Sequence, residues 1–253
     1  MTGSLLLVPN TLDLGTPQAS AIERLLGADV LAASACLAHW VAEDAKVARA
    51  FLKRVAQHRP LAQPLQGIDV QELPRPVKGR AQAPDPRQFM RLLAPALQGH
   101  DIGLLSDAGL PAVADPGALL VAAAHEAGVR VWPLAGASSV TLALAASGLQ
   151  GQRFAFIGYL PTDAAERAAR VRALEATSRR EQQTQIAIET PYRNTALAAA
   201  LLDVLQPSTR LALACGLTLP GGWCLTRPVS AWRAAPPVFS DKHLPAVFLW
   251  LAD

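Results

Sequence analysis

The chain has 253 residues, 51% of them hydrophobic and 17% charged, with a formal net charge of +3. That balance excludes a disordered polymer and fits one large domain or two modest ones with buried cores. Cys36, Cys215 and Cys224 form no C-x-x-C pair, which excludes a disulfide framework and a cysteine zinc site and suits a reducing compartment. A charge of +3 does not by itself make a nucleic-acid binder, even with 19 arginines.

Short apolar runs alternate with helical patterns, the sign of an α/β protein. Leu5–Val8 predicts a strand ending at Pro9. Thr16-Pro17 predicts an N-cap and first helical position, with the helix running to about Leu26. A short strand is expected near Val30–Ala32 and a helix across Val41–Gln57. Residues 60–86 are proline-rich and predict a surface excursion with one strand at Ile68–Val70. Asp85-Pro86 opens a helix to about Leu97, and Ile102–Leu105 predicts a buried strand. Asp115-Pro116 caps a helix ending at Gly128, followed by a strand at Val129–Trp132 and a helix at Ser138–Ser147.

The second half carries fewer helices per strand, which suggests a mixed sheet. Its predicted strands are Phe154–Gly158, Gln185–Ile188, Leu211–Cys215, Trp223–Thr226 and Val247–Leu251, with helices at Asp163–Ala176 and Asn194–Leu205. The start of the chain lacks a basic region and a long apolar run, so no leader is expected. Residues 131–152 carry no charge, but Pro133, Gly136, Ser138, Ser139, Thr141, Ser147 and Gly148 break them into a strand, a turn and a short helix. A soluble, cytoplasmic protein is expected, without membrane partners.

Three segments stand where chemistry could sit. Ser106-Asp107-Ala108-Gly109-Leu110-Pro111 directly follows a buried strand, where open α/β sheets hold ligands. Its small residues allow close backbone approach, although Asp and Gly are also ordinary turn residues. Pro133-Leu134-Ala135-Gly136-Ala137-Ser138-Ser139 repeats the design after the next strand. Neither loop is a phosphate cradle of the G-x-x-x-x-G-K-[ST] or G-x-G-x-x-G kind. Glu189-Thr190-Pro191-Tyr192-Arg193 opens a helix, where Thr190 and Arg193 suit a carboxylate or phosphate; a plain helix start with a surface arginine is the competing reading. The five histidines lack chelating spacing, no serine has a G-x-S-x-G setting, and no metal is expected. Glu43-Asp44 reads as an acidic pair on a solvated helix face. Arg167, Arg170, Arg172, Arg179 and Arg180 make one second-half helix and its flank basic.

Ser106 through Gly117 resembles the S-D-A-G-x-P-x-x-x-D-P-G signature of the tetrapyrrole methylase superfamily. Leu134–Ser139 with Ala146–Leu149 is similar to L-P-G-P-S and A-S-G-L of the 16S rRNA ribose 2′-O-methyltransferase branch, with alanine replacing both prolines. Phe154–Pro161 resembles F-x-F-x-G-[FY]-L-P, and Glu189–Arg193 resembles E-[ST]-P-[HY]-R. The resemblance covers nearly the whole chain in order.

It implies two α/β domains, here 1–134 with a mostly parallel sheet and 135–253 with a mixed sheet, and S-adenosylmethionine bound in the cleft between them, usually in a homodimer. Carried over position by position, cofactor contacts fall on Pro9, on Leu105, Ser106, Asp107, Ala108, Gly109 and Leu110, on Ser138 and Ser139, on Thr190, and on Gly216 and Leu217. Methyl transfer from a sulfonium is an in-line displacement governed by positioning and electrostatics.

Departures concern the acceptor. The tetrapyrrole-methylating branch has G-P-G-D where this chain has Val8-Pro9-Asn10-Thr11, which disfavours a porphyrinoid substrate. The rRNA branch has A-E-D-T-R where Ala42-Glu43-Asp44-Ala45-Lys46 stands, after an apparent insertion around Leu37–Trp40, and K-G-E where Asp241-Lys242-His243 stands. Glu43 and Lys242 are the catalytic candidates. The expected activity is S-adenosylmethionine-dependent methyl transfer, with rRNA or another RNA ribose foremost as acceptor. The rival is a cofactor-binding regulatory or assembly module that lost catalysis.

Overall fold

The computed structural model describes residues 2–13, 21–74, 85–239 and 244–253, and its contacts divide the chain into two units, Met1–Ala137 and Ser138–Asp253. The first unit is a parallel sheet of β1 (Ser4–Val8), β2 (His39–Ala42), β3 (Asp69–Glu72), β4 (Ile102–Leu105) and β5 (Arg130–Pro133), in the order β3-β2-β4-β1-β5. Around it stand α1 (Ala28–Cys36), α2 (Ala45–Ala56), α3 (Pro86–Leu92), α4 (Ala94–Leu97) and α5 (Gly117–Glu126).

Alternation along the strands builds two apolar layers. Leu6, Val8, Trp40, Ala42 and Leu105 face α1 and α2, burying Val30, Leu31, Phe51 and Leu52. Leu5, Val41, Ile102 and Leu104 face the other side, against Phe89, Leu92, Ala96, Leu120 and Ala124 of α3, α4 and α5. Gly103 is required by this packing, because a Cβ there would meet the Trp40 ring at 2.7 Å. Helices following β1 and β2 therefore lie on one face, and helices following β3 and β4 on the other. The central strand β4 lies between β1 and β2, so a crevice opens beyond the carboxyl ends of all three.

Several expected elements shift. Val30–Ala32 belongs to helix α1, since Val30, Leu31, Ser34 and Ala35 recur at helical spacing and are buried together. The second strand is β2 instead, so Val41 and Ala42 are not helical. Helix α2 begins only after Asp44, whose carboxylate accepts the N–H groups of Lys46 (2.7 Å) and Val47 (3.4 Å). Asp85 caps α3 through the Arg87 N–H at 3.0 Å. The single helix expected to Leu97 breaks at Leu93, because Pro95 cannot donate to the preceding turn. The helix start expected at Thr16-Pro17 lies outside the described residues, and a 3₁₀ turn occupies Ile22–Arg24.

The second unit has its own sheet of β6 (Phe154–Tyr159), β7 (Thr184–Glu189), β8 (Arg210–Cys215), β9 (Trp223–Pro228) and β10 (Ala246–Leu251), ordered β6-β7-β10-β8-β9. Only β6 and β7 pair in parallel; the other pairings are antiparallel, so the sheet is mixed as expected. α6 (Ser139–Ser147) covers one face, burying Val140, Ala143 and Leu144 against Ile186, Ala212, Ala214, Val247 and Leu249. α7 (Ala164–Glu181), α8 (Asn194–Val204) and the unanticipated α9 (Val229–Ala234) bury the other face, around Leu211, Leu213, Phe248 and Trp250. Among the described residues, no helix is long and apolar enough to cross a membrane.

Candidate functional site

The pairing register brings Val8, Leu105 and Ala42 to one level, so the loops after β1, β4 and β2 leave the sheet side by side. Asn10 ties two of them together. Its buried side chain donates through Nδ2 to the carbonyls of Ser106 and Asp107, both at 3.1 Å. Its Oδ1 accepts the Thr11 N–H at 2.8 Å, and its own N–H donates to the Gly109 carbonyl at 2.9 Å. From the third loop, Glu43 Oε1 accepts the Asp107 N–H at 3.0 Å. Ser106 Oγ closes the turn on the carbonyls of Ala108 (3.1 Å) and Gly109 (3.2 Å). Gly109 holds φ 72°, a conformation that glycine adopts without strain.

The next stretch is strained. Ala112 and Ala114 hold φ of 66° and 67°, each costing about 1 kcal/mol for an L side chain. Asp115 compensates, because Oδ1 accepts the N–H groups of Ala112 (2.9 Å) and Gly117 (2.7 Å). Burial pushes its carboxyl above the usual carboxylate range; N–H donation from Gly117, Ala112 and Val113 opposes the rise, and the Asp107 charge adds to it. Glu43, Asp44, Leu73, Asp107 and Pro116 line a cleft of about 310 Å³ beside the loop. Pro9 packs so closely on Gly136 that a Cβ on that glycine would meet the proline Cβ at 2.2 Å.

Glu43 and Asp44 therefore do not form a solvated helix face. One holds a loop and the other caps a helix. Lys242 lies outside the described residues, as do Asp241 and His243.

In the second unit, Glu189 and Cys215 both register with Ala246, so Thr190 and Gly216 emerge at the same end of that sheet. The Gly216 N–H donates to the Pro245 carbonyl at 2.9 Å, and Leu217 packs against the cluster under α6. Ser138 is the N-cap residue of α6 and Ser139 its first residue. The Glu189–Arg193 segment is not an open anion site. Arg193 pairs with the buried Glu189 at 3.3 Å, and Glu189 Oε1 also accepts the Thr190 N–H and hydroxyl. Asn194 is buried at the start of α8 and donates to the Leu244 carbonyl at 2.9 Å.

Sequence reasoning passed over Asn10 as a mere departure from a pattern. The available signal was an asparagine just past a buried strand, a residue type that bonds backbone groups in turns. It also missed Arg54, which reaches from α2 to Thr11 Oγ1 (3.0 Å) and to the buried Asp13 (3.1 Å) and so braces the β1 loop.

Residues 18–222 match the family model described as Tetrapyrrole (Corrin/Porphyrin) Methylases. The chain belongs to this family. Curated relatives named Ribosomal RNA small subunit methyltransferase I include that of Pseudomonas aeruginosa, 40% identical over 116 residues, which is 46% of this chain and 40% of the relative. The protein of Micromonospora olivasterospora is 44% identical over 119 residues, 47% of this chain and 36% of its own. That of Escherichia coli O157:H7 is 39% identical over 127 residues, 50% and 43% of the two chains. The chain thus spans less than half the length of these relatives. Among solved structures, the methyltransferase CobJ aligns over 99% of this chain and 95% of its own, with a TM-score of 0.58 at 18% identity. Uroporphyrin-III-C-methyltransferase from Thermus thermophilus aligns over 99% and 93%, with a TM-score of 0.53 at 19% identity. At such identity these likenesses establish the fold alone.

Proposed function

We propose that this chain is an S-adenosylmethionine-dependent methyltransferase acting on RNA, with an rRNA ribose hydroxyl as the foremost acceptor. The observation that carries the reading is the locked loop 106–109, held by Asn10 and Glu43 at the switch point of a parallel sheet in a chain of this family. The cleft suits the cofactor's chemistry: S-adenosylmethionine carries a sulfonium and an ammonium, and the cleft is lined by the carboxylates of Asp107 and Glu43 beside a loop of small side chains. The bound cofactor supplies an electrophilic methyl group. The residues of this chain supply position.

The proposed contacts are Pro9, Leu105, Ser106, Asp107, Ala108, Gly109 and Leu110 in the first unit. Ser138, Ser139, Thr190, Gly216 and Leu217 are the corresponding proposals in the second. Domain limits of 1–134 and 135–253, a homodimeric assembly and a cytoplasmic location belong to the same reading. Glu43 acts in it as a positioning residue, since its carboxylate holds the Asp107 N–H. An RNA acceptor agrees with the names of the curated relatives. A loop of Val8-Pro9-Asn10-Thr11 rather than G-P-G-D argues against a porphyrinoid.

The test is transfer of labelled methyl from the cofactor into total RNA, protein and small-molecule fractions. Label in RNA that depends on the protein supports the reading. Binding of S-adenosylhomocysteine with no transfer to any fraction favours the regulatory module, and label confined to protein or small molecules refutes the RNA acceptor.

A further inference from the structure

Helix α2 is amphipathic in an unusual way: its sequence, AKVARAFLKRVA, contains four cations and no acid. Ala48, Phe51, Leu52 and Val55 are buried, which fixes the outward face. Arg54 is committed inward, to Asp13 and Thr11. Lys46, Arg49 and Lys53 stand at i, i+3 and i+7, within about 60° of one another around the axis and about 10 Å from end to end. Lys46 and Lys53 are exposed and make no ion pair among the described residues, and Arg49 uses one N–H on the Leu65 carbonyl at 3.3 Å. Nearby carboxylates are occupied by backbone: Asp44 holds the Lys46 and Val47 N–H groups, and Glu72 holds that of Ala45 at 2.9 Å.

The stripe is aimed at the site. Lys46 stands three residues after Glu43, which grips the candidate cofactor loop at Asp107. The rival basic helix, α7, carries Glu166, Glu175 and Glu181 among its five arginines, of which Arg170 and Arg172 are exposed without an ion pair among the described residues. Arg167 donates to the Pro161 and Thr162 carbonyls, Arg179 to the Asp253 carbonyl, and Arg180 pairs with Glu181. Arg75, Lys78 and Arg80, in the proline-rich stretch, lie outside the described residues.

We propose that Lys46, Arg49 and Lys53 form a track for the phosphodiester backbone of the acceptor RNA, leading the strand along α2 to the loop gripped by Glu43. This rests on the methyltransferase reading with an RNA acceptor and adds the surface by which the RNA is held. Cations along the outer side of one helix, Lys46 and Lys53 exposed and Arg49 half-buried between them, complement a polyanion, and each phosphate contact releases counterions, so binding carries a measurable salt slope. The contacts position the strand and carry no base specificity.

The experiment measures a fluorescently labelled 20-nucleotide single-stranded RNA by anisotropy across a salt series, with the full chain and saturating S-adenosylhomocysteine. The variant K46Q/R49Q/K53Q replaces these cations with a good helix former, and K46R/K53R in the parent keeps the charge. The expected result is a slope of log affinity against log salt reduced by about 2, from roughly 0.7 per lost contact, and affinity lowered at least ~10-fold. S-adenosylhomocysteine affinity by titration calorimetry stays unchanged in the triple variant, and K46R/K53R binds RNA as the parent does. A parent that binds RNA with the triple variant equal in affinity and slope overturns the track and leaves the RNA acceptor standing. A parent that binds S-adenosylhomocysteine but no RNA at low salt overturns both and turns the search toward an acidic protein.

Discussion

Asn10 is buried, and its amide satisfies three backbone groups of two loops and its own N–H a fourth. Asn10→Asp keeps the shape and turns two donated bonds into contacts between a carboxylate oxygen and two carbonyl oxygens. Leaving buried partners unsatisfied costs about 1–3 kcal/mol. Thermal denaturation should show that loss, and titration calorimetry should show S-adenosylhomocysteine affinity lowered at least ~10-fold, since 1.4 kcal/mol is a factor of ten. Affinity equal to the parent's would detach the loop lock from ligand binding.

Asp115 gives a pH signature of definite sign. Its folded pKa is raised above 3.8, chiefly by burial, so above pH 3.8 the folded chain retains a proton that the unfolded chain has released. The stabilisation from this group is therefore fully present below 3.8 and is lost as pH rises through the folded pKa. Asp115→Asn stays neutral and still offers Oδ1 to Ala112 and Gly117. Urea titrations of parent and variant across acid pH should differ by a curve that falls with rising pH, and a flat or rising difference would contradict the assignment.

At the scale of elements, the strands were legible because burial on both faces demands continuous apolar runs, as in Ile102–Leu105 and Val247–Leu251. Caps were legible where the residue has one use, as with Asp85 before Pro86. The errors fall where short apolar runs have two readings. Val30-Leu31-Ala32 fits a strand or one side of a helix, and only the burial of Ser34 and Ala35 one turn later decides it. His39-Trp40-Val41-Ala42 runs into the Glu43-Asp44 pair without a turn signal, so strand and helix merged in the reading. The candidate site follows the same logic. Small residues at 106–110 were visible in the sequence, whereas the grip of Asn10 and Glu43 depends on strand order β2-β4-β1, which local pattern does not encode. At Glu189–Arg193 an anion site and a plain helix start were both open in the sequence, since the pairing of Arg193 with Glu189 is a matter of side-chain direction at a strand end.

For the whole molecule, each unit carries its own sheet and its own buried clusters, and cofactor binding then acts as an added source of stability. A ligand that binds only the folded state stabilises it by about 2.7 kcal/mol at a hundred times its dissociation constant. At roughly 2–4 °C per kcal/mol for a chain of this length, that corresponds to a rise in melting temperature of roughly 5–11 °C for a single unfolding transition. S-adenosylhomocysteine should produce that rise in the parent. Ala108 is half-exposed at the tip of the locked loop, so a tryptophan there fills space beside the loop rather than inside a core. Ala108→Trp should keep the parent's melting temperature without ligand and lose the ligand-induced rise. Scanning calorimetry separates the cases: a folded variant that still gains the full rise would place S-adenosylhomocysteine away from the loop, and a variant whose own melting temperature collapses would show that the loop tip is packed more tightly than its exposure indicates.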